Sequence, residues 1–155
     1  MLIEKKIARI LTDTKKTLSI AESCTGGLLA NRLTNIPGSS NFLKMSLVVY
    51  SNDAKSKILK VPRALIRKHG AVSSQVAVSM AHKARKLLNT DFGIGITGIA
   101  GPSGGSKTKP VGLTFVAVST EIETLCLECR FAGNRKSIKT QAATQALRTL
   151  LEFLI

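Results

Sequence analysis

Two short segments carry residue types that could do chemistry together. Glu22-Ser23-Cys24-Thr25-Gly26-Gly27 follows a strand-like stretch and precedes a helical one. A serine there puts its hydroxyl at the C-terminal edge of a strand. The N–H groups of Cys24, Thr25, Gly26 and Gly27 would converge at a helix N-terminus, as an oxyanion or phosphate hole requires. A plain N-cap serine fits the same pattern. Tyr50-Ser51-Asn52-Asp53-Ala54-Lys55 is a second strand-to-helix junction and holds the only tyrosine of the chain. Lys55 falls in the first turn of its helix, where the positive dipole end disfavours an ammonium. Partial burial would lower its pKa further. Such a lysine is a better general base than one on the open surface. The pattern alone also fits a solvated basic helix carrying Lys57 and Lys60.

Two glycine motifs resemble nucleotide-binding loops and fail on context. Gly93-Ile94-Gly95-Ile96-Thr97-Gly98 matches G-x-G-x-x-G. The dinucleotide fingerprint needs those glycines after the strand and at a helix start. Here they lie within a strand, and Pro102 and Gly104-Gly105 forbid a helix just beyond. Gly101 to Thr108 is one substitution from a P-loop. Ser106 stands where glycine is needed, and Pro110 blocks the following helix. The segment reads either as a flexible loop or as a glycine-rich rim whose N–H groups meet an anion.

The remaining candidates are weaker. Cys126-Leu127-Glu128-Cys129 is a C-x-x-C in an alternating stretch, where positions i and i+3 face opposite ways. There is no second pair to complete a zinc site. His69 and His82 lie on helices without partner motifs, so no Ser-His-Asp triad is indicated.

These residues are positioned by a chain of 155 residues, enough for one domain with a real core. Hydrophobic residues are 44% and charged residues 21%, a globular composition. Apolar runs reach only four residues, at Leu47–Tyr50 and Phe115–Val118, so no segment reads as a membrane span. Met1-Leu2-Ile3 is followed at once by Glu4-Lys5-Lys6, which is no signal-peptide core, and a cytoplasmic protein is the expectation. Three cysteines in that setting argue against a disulfide framework. Lys and Arg number 23 against 9 Asp and Glu, a net charge of +14. That surplus favours anionic partners. It is spread from Lys5 to Arg148 without a tail, and five Phe, one Tyr and no Trp supply little base stacking. A specific nucleic-acid surface is therefore disfavoured.

Periodicity orders the elements. Ile3, Ile7, Ile10 and Leu11 mark a helix over about 2–16. A short strand covers 17–21, a turn 22–27 and a helix 28–33. Leu47–Tyr50 reads as a buried strand. Asn52 or Asp53 would cap a helix running to about Lys60. Pro62 opens a short helix ending near His69-Gly70. Ser73 or Ser74 caps a long helix to about Asn89. Phe92–Thr97 is a strand, 98–110 a loop, and 111–119 with 123–131 a hairpin. A last helix starts near Asn134 and turns Ile138, Ala142, Ala146 or Leu147, Leu150 and Leu154 inward. Helical crossovers need parallel strands, whereas the hairpin is antiparallel. A mixed sheet between helices is the predicted architecture. The apolar faces of the first and last helices could serve the core or a homo-oligomer interface.

Taken together, these segments resemble the C-terminal domain family of the competence-damage protein CinA, whose stand-alone members are nicotinamide-nucleotide amidases. The resemblance rests on Ala21–Gly27, Pro37–Ser40, Tyr50–Asn52 with Ala54-Lys55, and His69–Ser73. It continues through Thr97–Pro102, Gly104-Gly105, Lys109–Gly112 and Phe131–Arg135. It implies a three-layer α/β/α fold with a mixed sheet of about five strands in a single domain over 1–155. It also implies hydrolysis of the carboxamide of nicotinamide mononucleotide to nicotinate mononucleotide and ammonia, with no metal or cofactor. Ser23 would attack the carboxamide carbon, and neutral Lys55 would take the hydroxyl proton. Tyr50 would lie between them as relay or orienter. N–H groups near Thr25-Gly26 would hold the oxyanion, with Cys24 and Gly27 beside them. Asn52, Thr97, Gly98, Gly101, Gly104, Gly105 and Arg135 would bind the nucleotide, the arginine through its planar fork. Relatives usually carry two glycines where this chain has Met45-Ser46, which predicts a narrower pocket. The rival reading is a family member that binds a nucleotide or nucleic acid without turnover.

Overall fold

The computed structural model describes residues 2–155. The elements are α1 (Ile3–Asp13), β1 (Leu18–Glu22), α2 (Leu28–Thr34), β2 (Leu43–Val48), α3 (Asn52–Lys57) and α4 (Arg63–His69). They continue with α5 (Ser74–Leu87), β3 (Phe92–Gly98), β4 (Leu113–Ser119), β5 (Thr124–Arg130) and α6 (Arg135–Leu154). The strands form one sheet in the order β2-β1-β3-β4-β5. β1 runs parallel to both β2 and β3, and the β3-β4 and β4-β5 pairs are antiparallel.

Period-two alternation along the strands splits the core into two layers. Leu18 and Ile20 of β1, Ile94 and Ile96 of β3 and Val116 and Val118 of β4 face α1, α2 and α6. Ala21, Phe115 and Ala117 face the other way, toward α4 and α5. This is the three-layer α/β/α arrangement with a five-stranded mixed sheet. The apolar faces of α1 (Ile7, Ala8, Leu11) and α6 (Ile138, Ala142, Leu147, Leu150) are both buried in the core. Leu154, the last of the expected inward positions, is only partly buried.

Gly93 and Gly95 are explained by packing. A Cβ on Gly93 would run into the Ala81 carbonyl oxygen, and one on Gly95 would run into that of Ala77. Both carbonyls belong to α5, which therefore lies closer to β3 than any side chain permits. The apparent nucleotide fingerprint is a helix-docking groove inside a strand.

Several local expectations need correction. The strand expected at Leu47–Tyr50 lies earlier, at Leu43–Val48, and is an edge strand rather than a buried one. Val48 is 49% exposed and Tyr50 60%. The apolar run misled because burial of a strand depends on its rank in the sheet, which a local pattern does not report. Ser51, not Asn52 or Asp53, caps α3, its Oγ accepting from the Ala54 N–H at 3.0 Å. That helix stops at Lys57. The first helix ends at Asp13 and α5 at Leu87, and left-handed Lys15 (φ 56°) and Asn89 (φ 51°) follow them. Ser73 is the cap of α5.

Candidate active site

β1 connects to β2 through α2 on one face of the sheet, and β2 connects to β3 through α3, α4 and α5. β1 therefore has successors on both sides, and the crevice beyond its C-terminal end is the ligand position expected of an open α/β sheet. Ser23 is the first residue past that end. Its N–H still donates to the Ile96 carbonyl of β3 at 3.0 Å, so the sheet fixes the backbone that carries the hydroxyl.

The chain then reverses within four residues. The Gly26 N–H donates to the Ser23 carbonyl at 3.1 Å, and Gly27 caps α2 at φ 98°, a conformation that favours glycine. Glu22 locks the reversal from below. Its fully buried carboxylate accepts from Thr25 Oγ1 at 2.6 Å, from the Leu29 N–H at 3.0 Å and from the Ala30 N–H at 3.2 Å. A carboxylate there satisfies orphan donors and meets the positive end of α2.

Lys55 comes from the other layer. It is 1% exposed, and its Nζ is 2.9 Å from Ser23 Oγ. The same nitrogen donates to the Val49 carbonyl at 3.0 Å and to the Tyr50 carbonyl at 3.2 Å. Among the described residues no carboxylate forms an ion pair with it. Burial holds its pKa below the ordinary 10.5, and the opposing influence of Cys24 is the smaller one. A neutral amine in this cage donates both its hydrogens to the two carbonyls. Its lone pair is then left toward the serine hydroxyl, the arrangement of a general base. The cause expected from the sequence was the helix dipole together with burial; desolvation leads. The Cys24 thiol is pushed up to about 11 by burial, so it stays protonated at neutral pH and is no rival nucleophile.

A cleft of about 170 Å³ opens over this pair. Ser23, Cys24 and Lys55 line it together with Tyr50, Asn52 and Arg135, and Thr97 and Gly98 close one side. Thr97 Oγ1 donates to the Ala71 carbonyl at 2.9 Å and so ties the end of β3 to the segment before α5. Ala71, Val72 and Ala100 complete the wall. Sequence reasoning missed these three, which carry no chemical signal, and it gave no role to Glu22. A carboxylate just before a candidate helix N-terminus could have flagged the latter.

Other expectations fail. The Tyr50 side chain is not between serine and lysine. Its hydroxyl accepts from Arg135 Nη2 at 3.0 Å, and only its main-chain carbonyl touches Lys55. Tyr50 lies two residues past the end of β2, and its ring turns to Arg135 while its backbone stays at Lys55. Gly26 is not free to hold an oxyanion, because its N–H closes the turn; among the described residues no backbone carbonyl accepts the N–H of Cys24 or Thr25. Thr25 and Gly27 shape the reversal and do not line the cleft, and neither do Gly101, Gly104 and Gly105. Those loop glycines answer to the loop's own folding. A Cβ on Gly101 would strike Val111, one on Gly105 would come within 2.8 Å of the Val111 nitrogen, and Gly104 sits at φ 90°. Gly101 still contributes its carbonyl, which accepts from Arg135 Nη1 at 2.6 Å. Met45 and Ser46 lie outside the cleft and do not narrow it; Ser46 Oγ instead lies 3.5 Å from Glu22 Oε2. Cys126 and Cys129 are free thiols, and no metal-like cluster gathers among the described residues. No described helix is long and apolar enough to cross a membrane.

The family model described as the CinA C-terminal domain matches residues 2–154. The chain belongs to the CinA C-terminal domain family. A CinA-like protein from Koribacter versatilis is 47% identical over 99% of this chain and 37% of its own length. Another from Acidobacterium capsulatum is 54% identical over 84% of this chain and 32% of its own. The chain thus spans well under half of these curated relatives. Solved CinA superfamily structures are matched nearly whole. A competence/damage inducible protein from Agrobacterium tumefaciens has a TM-score of 0.95 at 39% identity, covering 97% of this chain and 92% of that one. One from Enterobacter asburiae has 0.94 at 35%, covering 99% and 96%.

Proposed function

We propose that this CinA-family domain is a serine–lysine amidase that hydrolyses the carboxamide of nicotinamide mononucleotide to nicotinate mononucleotide and ammonia. The observation that carries the reading is the 2.9 Å approach of a buried, unpaired lysine to a serine hydroxyl on the floor of a cleft. The substrate follows from the resemblance to nicotinamide-nucleotide amidases.

In the proposed course, Ser23 Oγ adds to the carboxamide carbon while its proton passes to Lys55 Nζ. The carbonyl oxygen takes the negative charge and faces the N–H of Cys24, which lines the cleft and which no backbone carbonyl of the described residues accepts; such a donor is worth about 3 kcal/mol. Collapse breaks the C–N bond, and the Lys55 ammonium returns its proton to the departing ammonia. Lys55 then deprotonates a water, which hydrolyses the serine ester and restores the hydroxyl. Arg135, pinned between Gly101 and Tyr50, stands at the mouth as the cation for the ribose phosphate.

The deciding experiment measures ammonia release from nicotinamide mononucleotide by wild type and Lys55→Ala side by side. Release by wild type and its loss in the variant support the amidase. No release by folded wild type, with the nucleotide nonetheless bound, favours a binding module.

A further inference from the structure

The end of the sheet opposite Ser23 holds a second, larger cavity, of about 450 Å³. β1 and β3 start there, and the β4-β5 hairpin closes over it. The length of β3 puts it about 20 Å from the catalytic cleft. Its notable resident is Arg85, in the last turn of α5 and only 6% exposed. The Arg85 Nε is buried without a hydrogen-bond partner. Nη1 reaches only the Thr90 carbonyl, at 3.5 Å. Among the described residues no carboxylate pairs with the guanidinium. A buried cation left in that condition is costly unless something compensates it.

The acids around the cavity do not fill the role. Asp91 is engaged with Thr17, accepting from its N–H at 2.8 Å and its hydroxyl at 3.0 Å. Glu121 and Glu123 sit on the exposed hairpin turn and bond neither to Arg85 nor to each other. Lys16 and Lys86 add cationic donors at the wall, and Lys16 Nζ lies 5.7 Å from the centre of the Phe92 ring. Phe92, Phe153 and Ile122 supply apolar surface.

We propose that this cavity is a second binding site, for a small organic anion with an apolar body, whose carboxylate or phosphate pairs with Arg85. The headgroup bonds the terminal nitrogens of the guanidinium, of which Nη1 has only the long contact to Thr90, and offsets the charge that the buried Nε leaves unpaired; the body packs between Phe92 and Phe153. The site is separate from the amidase reading and stands without it.

The test is an NMR titration of isotope-labelled full chain carrying Ser23→Ala, with benzoate, phenyl phosphate and uncharged benzyl alcohol as probes. The expected result is a saturable shift of amides in 86–92 and 120–123 with one or both anions and none with benzyl alcohol. Response to benzoate alone marks a carboxylate ligand, and response to phenyl phosphate alone marks a phosphate ester. Arg85→Met should abolish the response. If that variant does not fold, the double change Lys16→Ala with Lys86→Ala should weaken affinity about tenfold, the scale of a lost charge-assisted bond. Absence of a saturable response there to either anion, an equal response to benzyl alcohol, or unchanged affinity in folded Arg85→Met overturns the proposal.

Discussion

Glu22 precedes the candidate nucleophile by one residue, and its carboxylate holds the Thr25 hydroxyl at 2.6 Å. The turn that aims Ser23 is therefore clamped from inside the protein and not by the cleft. Glu22→Gln keeps the shape but offers an amide where the Ala30 N–H needs an acceptor. It should lose about 1–3 kcal/mol in urea unfolding. Turnover by the proposed reaction should fall too, chiefly in kcat, because the cleft wall is untouched. Unchanged stability would show that the clamp is dispensable.

Ser23→Ala removes the oxygen proposed to attack and little else. Ammonia release should drop by about 10³-fold or more, on the scale seen when a nucleophile is deleted. The melting temperature should stay within a few degrees of wild type. Retained activity would discard Ser23 as nucleophile.

On the proposed mechanism, ammonia release should quicken as pH rises through the ionisation of Lys55 and then level off, since only the neutral amine accepts the proton. Burial moves that ionisation below 10.5. Between the folded pKa and 10.5 the unfolded chain binds more protons than the native one. Wild type should therefore gain stability as pH rises across that window, relative to Lys55→Met. A flat difference between the two, from denaturant titrations at several pH values, would contradict a buried lysine of lowered pKa.

Tyr50→Phe separates the side chain from the main chain. The carbonyl that holds Lys55 remains, and the contact to Arg135 goes. The expected effect is a raised KM with kcat within about tenfold of wild type. A loss of kcat approaching that of Lys55→Ala would return the hydroxyl to the proton path.

Gly95→Ala tests the packing account of the glycine motif. The new methyl would be driven into the Ala77 carbonyl and within 2.6 Å of the Ala81 nitrogen. Overpacking of this kind costs about 1–3 kcal/mol. A variant as stable as wild type in thermal melts would mean that α5 can retreat.

Ser23 and Lys55 were legible because each lies at a strand-to-helix junction, and parallel strands send such junctions to one edge of a sheet. The glycines of β3 were rejected as a nucleotide loop on the same grounds, and their close approach to α5 accounts for them. The Tyr50 ring escapes a local reading because it turns to Arg135, 85 residues away in the chain. The loop glycines escape a local reading because a positive φ at Gly101 and Gly104, a close backbone approach at Gly105 and a phosphate cradle leave the same mark in a sequence. Arg85 could not be singled out among 23 basic residues, since only packing reveals that it is buried.

Among the described residues Lys55 has no acidic neighbour within ion-pair distance. Its readiness to accept a proton comes from dryness, not from a counter-charge, and dissolved electrolyte has little there to screen. Reactivity of this kind should be indifferent to ionic strength and vulnerable to leakage. A substitution at Ala71 or Val72 that admits water would blunt the lysine without touching it.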